Sequence, residues 1–81
     1  MVKIYTQSYC PYCISAKNLL NALQVSYEEI DVGKNDGLME VLTKRSGMKT
    51  VPQIYVWEKC LWGYSDIANL HEKGLLMKEF V

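Results

Sequence analysis

Two cysteines separated by two residues, in Cys10-Pro11-Tyr12-Cys13, are the side chains of this sequence best suited to covalent chemistry. At that spacing two thiols either close a disulfide reversibly or supply half of a metal site. A third cysteine, Cys60, stands apart. An odd count disfavours a framework of structural disulfides, which use their cysteines in pairs. A zinc site of Cys10, Cys13, Cys60 and His71 has suitable ligand types but lacks a second close pair. The segments around the pair decide between redox chemistry and metal binding.

Val2 to Thr6 alternates, with Val2, Ile4 and Thr6 on one face and Lys3 and Tyr5 on the other, and reads as a strand. From Pro11 the period becomes helical. Cys13, Ala16, Leu20 and Leu23 line a stripe widened by Leu19 and Ala22, leaving Lys17, Asn18 and Asn21 as a solvated face. Pro11 suits a first helical turn, where a backbone donor is unused. Val25 to Val32 reads as a second strand, parallel to the first because a helix lies between them. Asn35 or Asp36 is the expected cap of a helix from Leu38 to Arg45. Strands at Gln53–Trp57 and Cys60–Trp62 form a hairpin turning at Glu58 and Lys59, without the glycine a tight turn prefers. Ser65 is the expected cap of a helix from Asp66 to Lys73, and Leu75 to Val81 reads as a short terminal helix packed through Leu75, Leu76 and Phe80.

These elements predict an α/β protein in the order β-α-β-α-β-β-α, with a four-stranded mixed β-sheet flanked by helices. The 81 residues suffice for one domain over 1–81, and an apolar fraction of 49% builds its core without staples. Nine basic and nine acidic residues cancel, so there is no electrostatic footprint for nucleic acid. No apolar run resembles a signal peptide or a membrane span. The expectation is a cytoplasmic monomer without a membrane or nucleic-acid partner.

The pair of thiols therefore falls where a strand ends and an amphipathic helix begins. There a thiolate meets unpaired backbone N–H groups and the positive end of the helix dipole. Cys10, first in the motif, is expected to be exposed and to act as the nucleophile. Cys13, deeper in the first turn, is expected to be the buried resolving thiol. N–H···S bonds from the backbone of Tyr12 and Cys13 are expected to hold the Cys10 thiolate. Cys60 reads as a half-buried strand residue and His71 as a surface residue.

Over essentially its whole length the sequence resembles the dithiol glutaredoxins. The resemblance is carried by Cys10-Pro11-Tyr12-Cys13, Thr50-Val51-Pro52-Gln53-Ile54, Gly63-Tyr64-Ser65-Asp66, Leu70-His71 and Gly74. It implies a thioredoxin-like fold in which three segments converge on one groove for glutathione, with Val51-Pro52 a cis peptide facing the cysteines. In that groove the backbone of Thr50 and Val51, before Pro52, would pair with the extended tripeptide. The helix opened by Tyr64, Ser65 and Asp66 would seat its γ-glutamyl carboxylate. Asp66 would accept from its ammonium group, and Tyr12 would flank its sulfur. The implied activity is reduction of protein disulfides and glutathione mixed disulfides, with glutathione as co-substrate and no bound metal or organic cofactor. Disulfide-containing or glutathionylated proteins are the implied partners.

Two departures from the family pattern stand out. Gln7 occupies a position commonly held by lysine, and Trp62-Gly63 replaces a Gly-Gly pair. Lys49 is the nearest candidate to replace the missing cation, and Trp62 is expected either to narrow the groove or to stack on a partner. Two other readings follow. One is a hydrogen donor recharged by a thioredoxin-reductase-type flavoenzyme, for a target such as ribonucleotide reductase. The other is a dimeric iron–sulfur carrier using Cys10 and glutathione, which the competing thiol of Cys13 disfavours.

Overall fold

Alternation and helical periodicity resolve into four strands and three α-helices in a computed structural model that describes residues 1–80. They are β1 (Val2–Thr6), α1 (Pro11–Ala22), β2 (Tyr27–Asp31), α2 (Leu38–Ser46), β3 (Gln53–Val56), β4 (Lys59–Trp62) and α3 (Tyr64–Glu72). Short 3₁₀ turns occupy Val32–Lys34 and Leu76–Phe80. The strands are ordered β2-β1-β3-β4, with β1 parallel to β2 and antiparallel to β3, and β3 antiparallel to β4. This is the thioredoxin-like mixed sheet.

Helices cover both faces of the sheet. On one, Val2, Ile4, Ile54 and Leu61 meet Ala16 and Leu20 of α1, Ile67 of α3 and Leu76. On the other, Tyr5 and Tyr55 meet Val32 and Leu42 of α2. Tyr5 therefore lies in a second core layer, its ring edge-on to Tyr55 at 5.4 Å. Both sides of β1 are buried, so the strand ends at a fixed point beneath the cysteines. Among the described residues, no helix is long and apolar enough to cross a membrane.

Several boundaries depart from the sequence reading, each for a local reason. β2 is shorter than Val25–Val32 because Val25 closes the end of α1, donating to the Leu20 carbonyl at 3.0 Å. Val32 has already turned into the 3₁₀ segment, where the Asp31 carboxylate accepts from the Gly33 N–H at 2.7 Å. The cap of α2 is Gly37, at φ 76°, rather than Asn35 or Asp36; the Asn35 amide instead donates to the Asp31 carbonyl. The hairpin turns one residue earlier than expected, at Trp57 and Glu58. Trp57 takes the left-handed conformation (φ 55°) that a glycine would otherwise supply.

Helix α3 starts at Tyr64, so Gly63 and not Ser65 is its cap residue; the Asp66 carboxylate accepts the Gly63 N–H at 3.1 Å. Ala22 is exposed and falls outside the buried stripe of α1. At the C-terminus Leu76 is buried and Phe80 packs on the core, whereas Leu75 is exposed. Val81, the last residue of the expected terminal helix, lies outside the described residues.

Candidate active site

The C-terminal end of β1 delivers the chain through Gln7, Ser8 and Tyr9 to Cys10, the N-cap of α1, with Pro11 opening the helix. The Cys10 sulfur occupies the position that a serine or aspartate oxygen takes in an ordinary cap. It accepts the Cys13 N–H at 3.3 Å. Of the two expected N–H···S donors, the structure supplies the one from Cys13. Tyr9, immediately before, has φ 61° and is fully exposed. A non-glycine residue in that region costs roughly 1–2 kcal/mol, so packing on either side of the turn holds it in place.

The two thiols differ sharply in environment. Cys10 is half-buried and its Sγ lies 3.8 Å from the Val51 carbonyl, whereas Cys13 is only 2% exposed. Burial pushes the Cys13 thiol up from its ordinary 9.0 to about 12, helped by a hydrogen bond with Cys10 and by the charge Cys10 carries when ionised. A backbone hydrogen bond from Gln7 and the Lys17 cation pull the other way. The expected division between an accessible first sulfur and a shielded second one is present in the geometry.

Three chain segments meet beside Cys10. Tyr12 from α1, Thr50, Val51 and Pro52 from the loop before β3, and Tyr64, Ser65 and Asp66 from the start of α3 line one groove of about 180 Å³. Met48 and Gly63 complete it. The Val51–Pro52 peptide is cis. Tyr12 and Tyr64 face each other with ring centroids 6.2 Å apart, forming one wall. The first N–H groups of α3 lack helical partners and open on the same space. A larger depression of about 640 Å³ lies around Met1, Lys3, Tyr5, Arg45, Trp57 and Glu58, but no cysteine lines it.

The groove's loop is set by a residue the sequence reading included only as part of a motif. Gln53 is fully buried, and its amide nitrogen donates to the carbonyls of Met48 (3.2 Å) and Thr50 (3.0 Å). Its amide oxygen accepts from Ser46 (3.1 Å) and from the Tyr55 hydroxyl (3.0 Å). A buried amide with every partner in place fixes the loop against β3 and α2. Nothing in the local pattern signals this, because the partners come from four separate positions.

The two departures from the family pattern also resolve. Lys49 does not reach the groove; it lines a separate depression with Met39, Glu40, Thr43 and Lys44. Among the described residues, no lysine or arginine lines the groove itself. Trp62 does not narrow the groove either. Its residue lines an adjoining hollow with Lys59, Cys60, Leu61, Asp66, Asn69, Leu70 and Glu79. It adopts φ 71° where β4 slips register against β3. Cys60 packs against the Tyr5–Tyr55 layer and its sulfur accepts the Trp62 N–H at 3.3 Å. Lys17, read from sequence as solvated, is ion-paired with Glu29 at 3.0 Å.

Comparison with known proteins agrees with this geometry. The glutaredoxin family model matches residues 2–61. The chain belongs to the glutaredoxin family. Glutaredoxin 3 of Escherichia coli strain K12 is 41% identical over 73 residues, spanning 90% of this chain and 88% of that one. The solution structure of a glutaredoxin from Brucella melitensis superposes with a TM-score of 0.85 at 36% identity, covering 95% of this chain and 84% of the other. A buckwheat glutaredoxin–glutathione complex shares the fold at a TM-score of 0.92 and 24% identity, covering 98% and 74% of the two chains. As a glutaredoxin, the chain is a thiol–disulfide oxidoreductase, and two close thiols stand at the N-terminus of its first helix.

Proposed function

We propose that this chain reduces protein disulfides and glutathione mixed disulfides, with Cys10 as nucleophile, Cys13 as resolving thiol and glutathione as reductant. The observation that carries the reading is the Cys10 sulfur, capped by the Cys13 N–H and opening beside the groove, with Cys13 shielded beneath it. In the monothiol reaction the Cys10 thiolate attacks the glutathione sulfur of a mixed disulfide. The target leaves as a thiolate and takes a proton from water. A second glutathione thiolate then attacks, forming glutathione disulfide and freeing Cys10. In the dithiol reaction Cys10 first forms a mixed disulfide with a target protein, and Cys13 displaces the target thiol by closing the Cys10–Cys13 bond.

Each groove residue has a role compatible with that substrate. The backbone at Val51, ahead of Pro52, supports strand-like pairing with an extended tripeptide. The opening N–H groups of α3 at Tyr64, Ser65 and Asp66 favour a carboxylate. The Asp66 oxygen not bonded to Gly63 suits an ammonium group, and Tyr12 flanks the approach to Cys10. The buckwheat protein, solved with glutathione, supports the ligand class. Such thiol chemistry fits a reducing, cytoplasmic setting.

The lack of a cation along the groove favours a second reading, in which glutathione binds weakly and a thioredoxin-reductase-type flavoenzyme recharges the disulfide. A coupled assay separates them. Glutathione with glutathione reductase is expected to reduce the oxidised protein efficiently. Recharging only by thioredoxin reductase would replace the first reading with the second.

A further inference from the structure

The resolving thiol carries a burden the nucleophile does not: Cys13 is buried, and must lose its proton to attack the mixed disulfide on Cys10. A cation that acts on it is supplied from within its own helix. Lys17 follows Cys13 by four residues, which places both side chains on one face of α1, one turn apart. Lys17 is not free to swing into water. Its ammonium group donates to a Glu29 carboxylate oxygen at 3.0 Å, and the same oxygen accepts the Thr6 hydroxyl at 2.8 Å. Thr6 is the last residue of β1 and is 3% exposed, so the anchor is part of the sheet beneath the active site. The Lys17 side chain itself is only 28% exposed.

We infer that Lys17, held by Glu29 and Thr6, is a positioning residue that favours the thiolate of Cys13 during resolution of the mixed disulfide. The inference rests on the dithiol reading above. The charges around the pair are consistent with it. Lys17 draws the Cys13 thiol down, against burial and the Cys10 charge, and Cys13 in turn favours the charged form of Lys17. The hydrogen bond to Glu29 is the main reason the Lys17 ammonium holds its proton more tightly than usual, with Tyr27 adding to it. Thr6 and Lys17 keep the Glu29 carboxyl below its usual range, against burial and Asp31. From the third element packed there, α3 presents the apolar Ile67. The step balances without an external reagent. The Cys13 sulfur bonds to the Cys10 sulfur, the bond from Cys10 to the target breaks, and the proton lost by Cys13 ends on the released target thiol.

The test isolates that step. A mixed disulfide between Cys10 and a fluorescent thiol peptide is formed at acid pH, where Cys13 stays protonated, and then jumped to a series of higher pH values. Peptide release reports resolution. Lys17→Met is expected to slow release about three- to tenfold at neutral pH and to move the pH profile upward, from loss of one nearby charge. Lys17→Arg is expected to restore both. Made in a Cys13→Ser background, Lys17→Met is expected to leave turnover of a glutathionylated peptide unchanged. Parent-like release and pH profile in Lys17→Met would overturn the inference alone. So would equal slowing of both reactions without rescue by arginine, which marks a merely structural role. If Cys13→Ser with native Lys17 releases peptide as fast as the parent, the dithiol reading fails and the inference falls with it.

Discussion

The buried resolving thiol links redox chemistry to stability, and the link has a definite sign. In the unfolded chain Cys13 titrates near 9.0, whereas burial holds it to about 12 in the folded protein. Below the lower value both states are protonated and the preference for the neutral thiol is fully expressed. Between the two values only the unfolded state ionises, so its free energy falls and the fold loses stability as pH rises. At pH 10 the unfolded thiol is ionised by about tenfold, a contribution of about 1.4 kcal/mol relative to neutral pH, reaching about 2.7 kcal/mol at pH 11. For a domain of this size, 1 kcal/mol corresponds to about 4–8 °C in Tm. The clean comparison is Cys10→Ala against Cys10→Ala/Cys13→Ala, because neither variant closes the active-site disulfide and other titrating groups cancel. Urea unfolding from pH 8 to pH 11 measures it. The Cys13-containing protein is expected to lose stability relative to its partner as pH rises above 9, by at most about 1.4 kcal/mol per pH unit. The bound is an upper one because Cys10→Ala leaves burial as the main cause of the shift and removes the part due to Cys10. A stability difference flat across that range would refute the claim that burial governs this thiol.

Two further perturbations probe the scaffold. Gln53→Met is of similar size but removes four hydrogen bonds, leaving the carbonyls of Met48 and Thr50 without their donor and the buried Tyr55 hydroxyl without its acceptor. The expected cost is about 2–4 kcal/mol in urea unfolding together with a raised KM for glutathionylated peptide, and an unchanged KM would show that the loop is set elsewhere. At position 62, where φ is 71°, glycine is expected to be more stable than alanine by about 0.5–1 kcal/mol, since it escapes the left-handed penalty at a smaller entropic cost. Thermal unfolding of Trp62→Gly and Trp62→Ala reads this directly; an equal or higher Tm for the alanine variant would contradict strain at that bulge.

What the sequence conveys well here is what depends on local periodicity. β1, α1 and the position of Cys10 and Cys13 follow from alternation, a helical stripe and a proline at the first turn, and all appear where expected. The groove residues were accessible only through family motifs, because Tyr12, Thr50–Pro52 and Tyr64–Asp66 meet through tertiary packing. Capping departs from the sequence pattern because glycines, rather than Asn35, Asp36 or Ser65, take the cap positions at Gly37 and Gly63. The hairpin slipped by one residue because Trp57 accepts a conformation that composition assigns to glycine. Lys17 looked solvated because its partner, Glu29, sits twelve residues away on β2 and is invisible to a helical wheel. Gln53 was opaque for the same reason: its network exists only once the chain has closed on itself.

The division of labour between the two thiols is tested most directly by locating the covalent intermediate. Cys13→Ser, mixed with a glutathionylated peptide and quenched by acid, is digested and analysed by mass spectrometry. Glutathione is expected on Cys10, in a species that free glutathione then discharges, while Cys10→Ser acquires no glutathione at Cys13 on the same timescale. Glutathione found on Cys13 or Cys60, or turnover that survives Cys10→Ser, would contradict the assignment of Cys10 as the nucleophile.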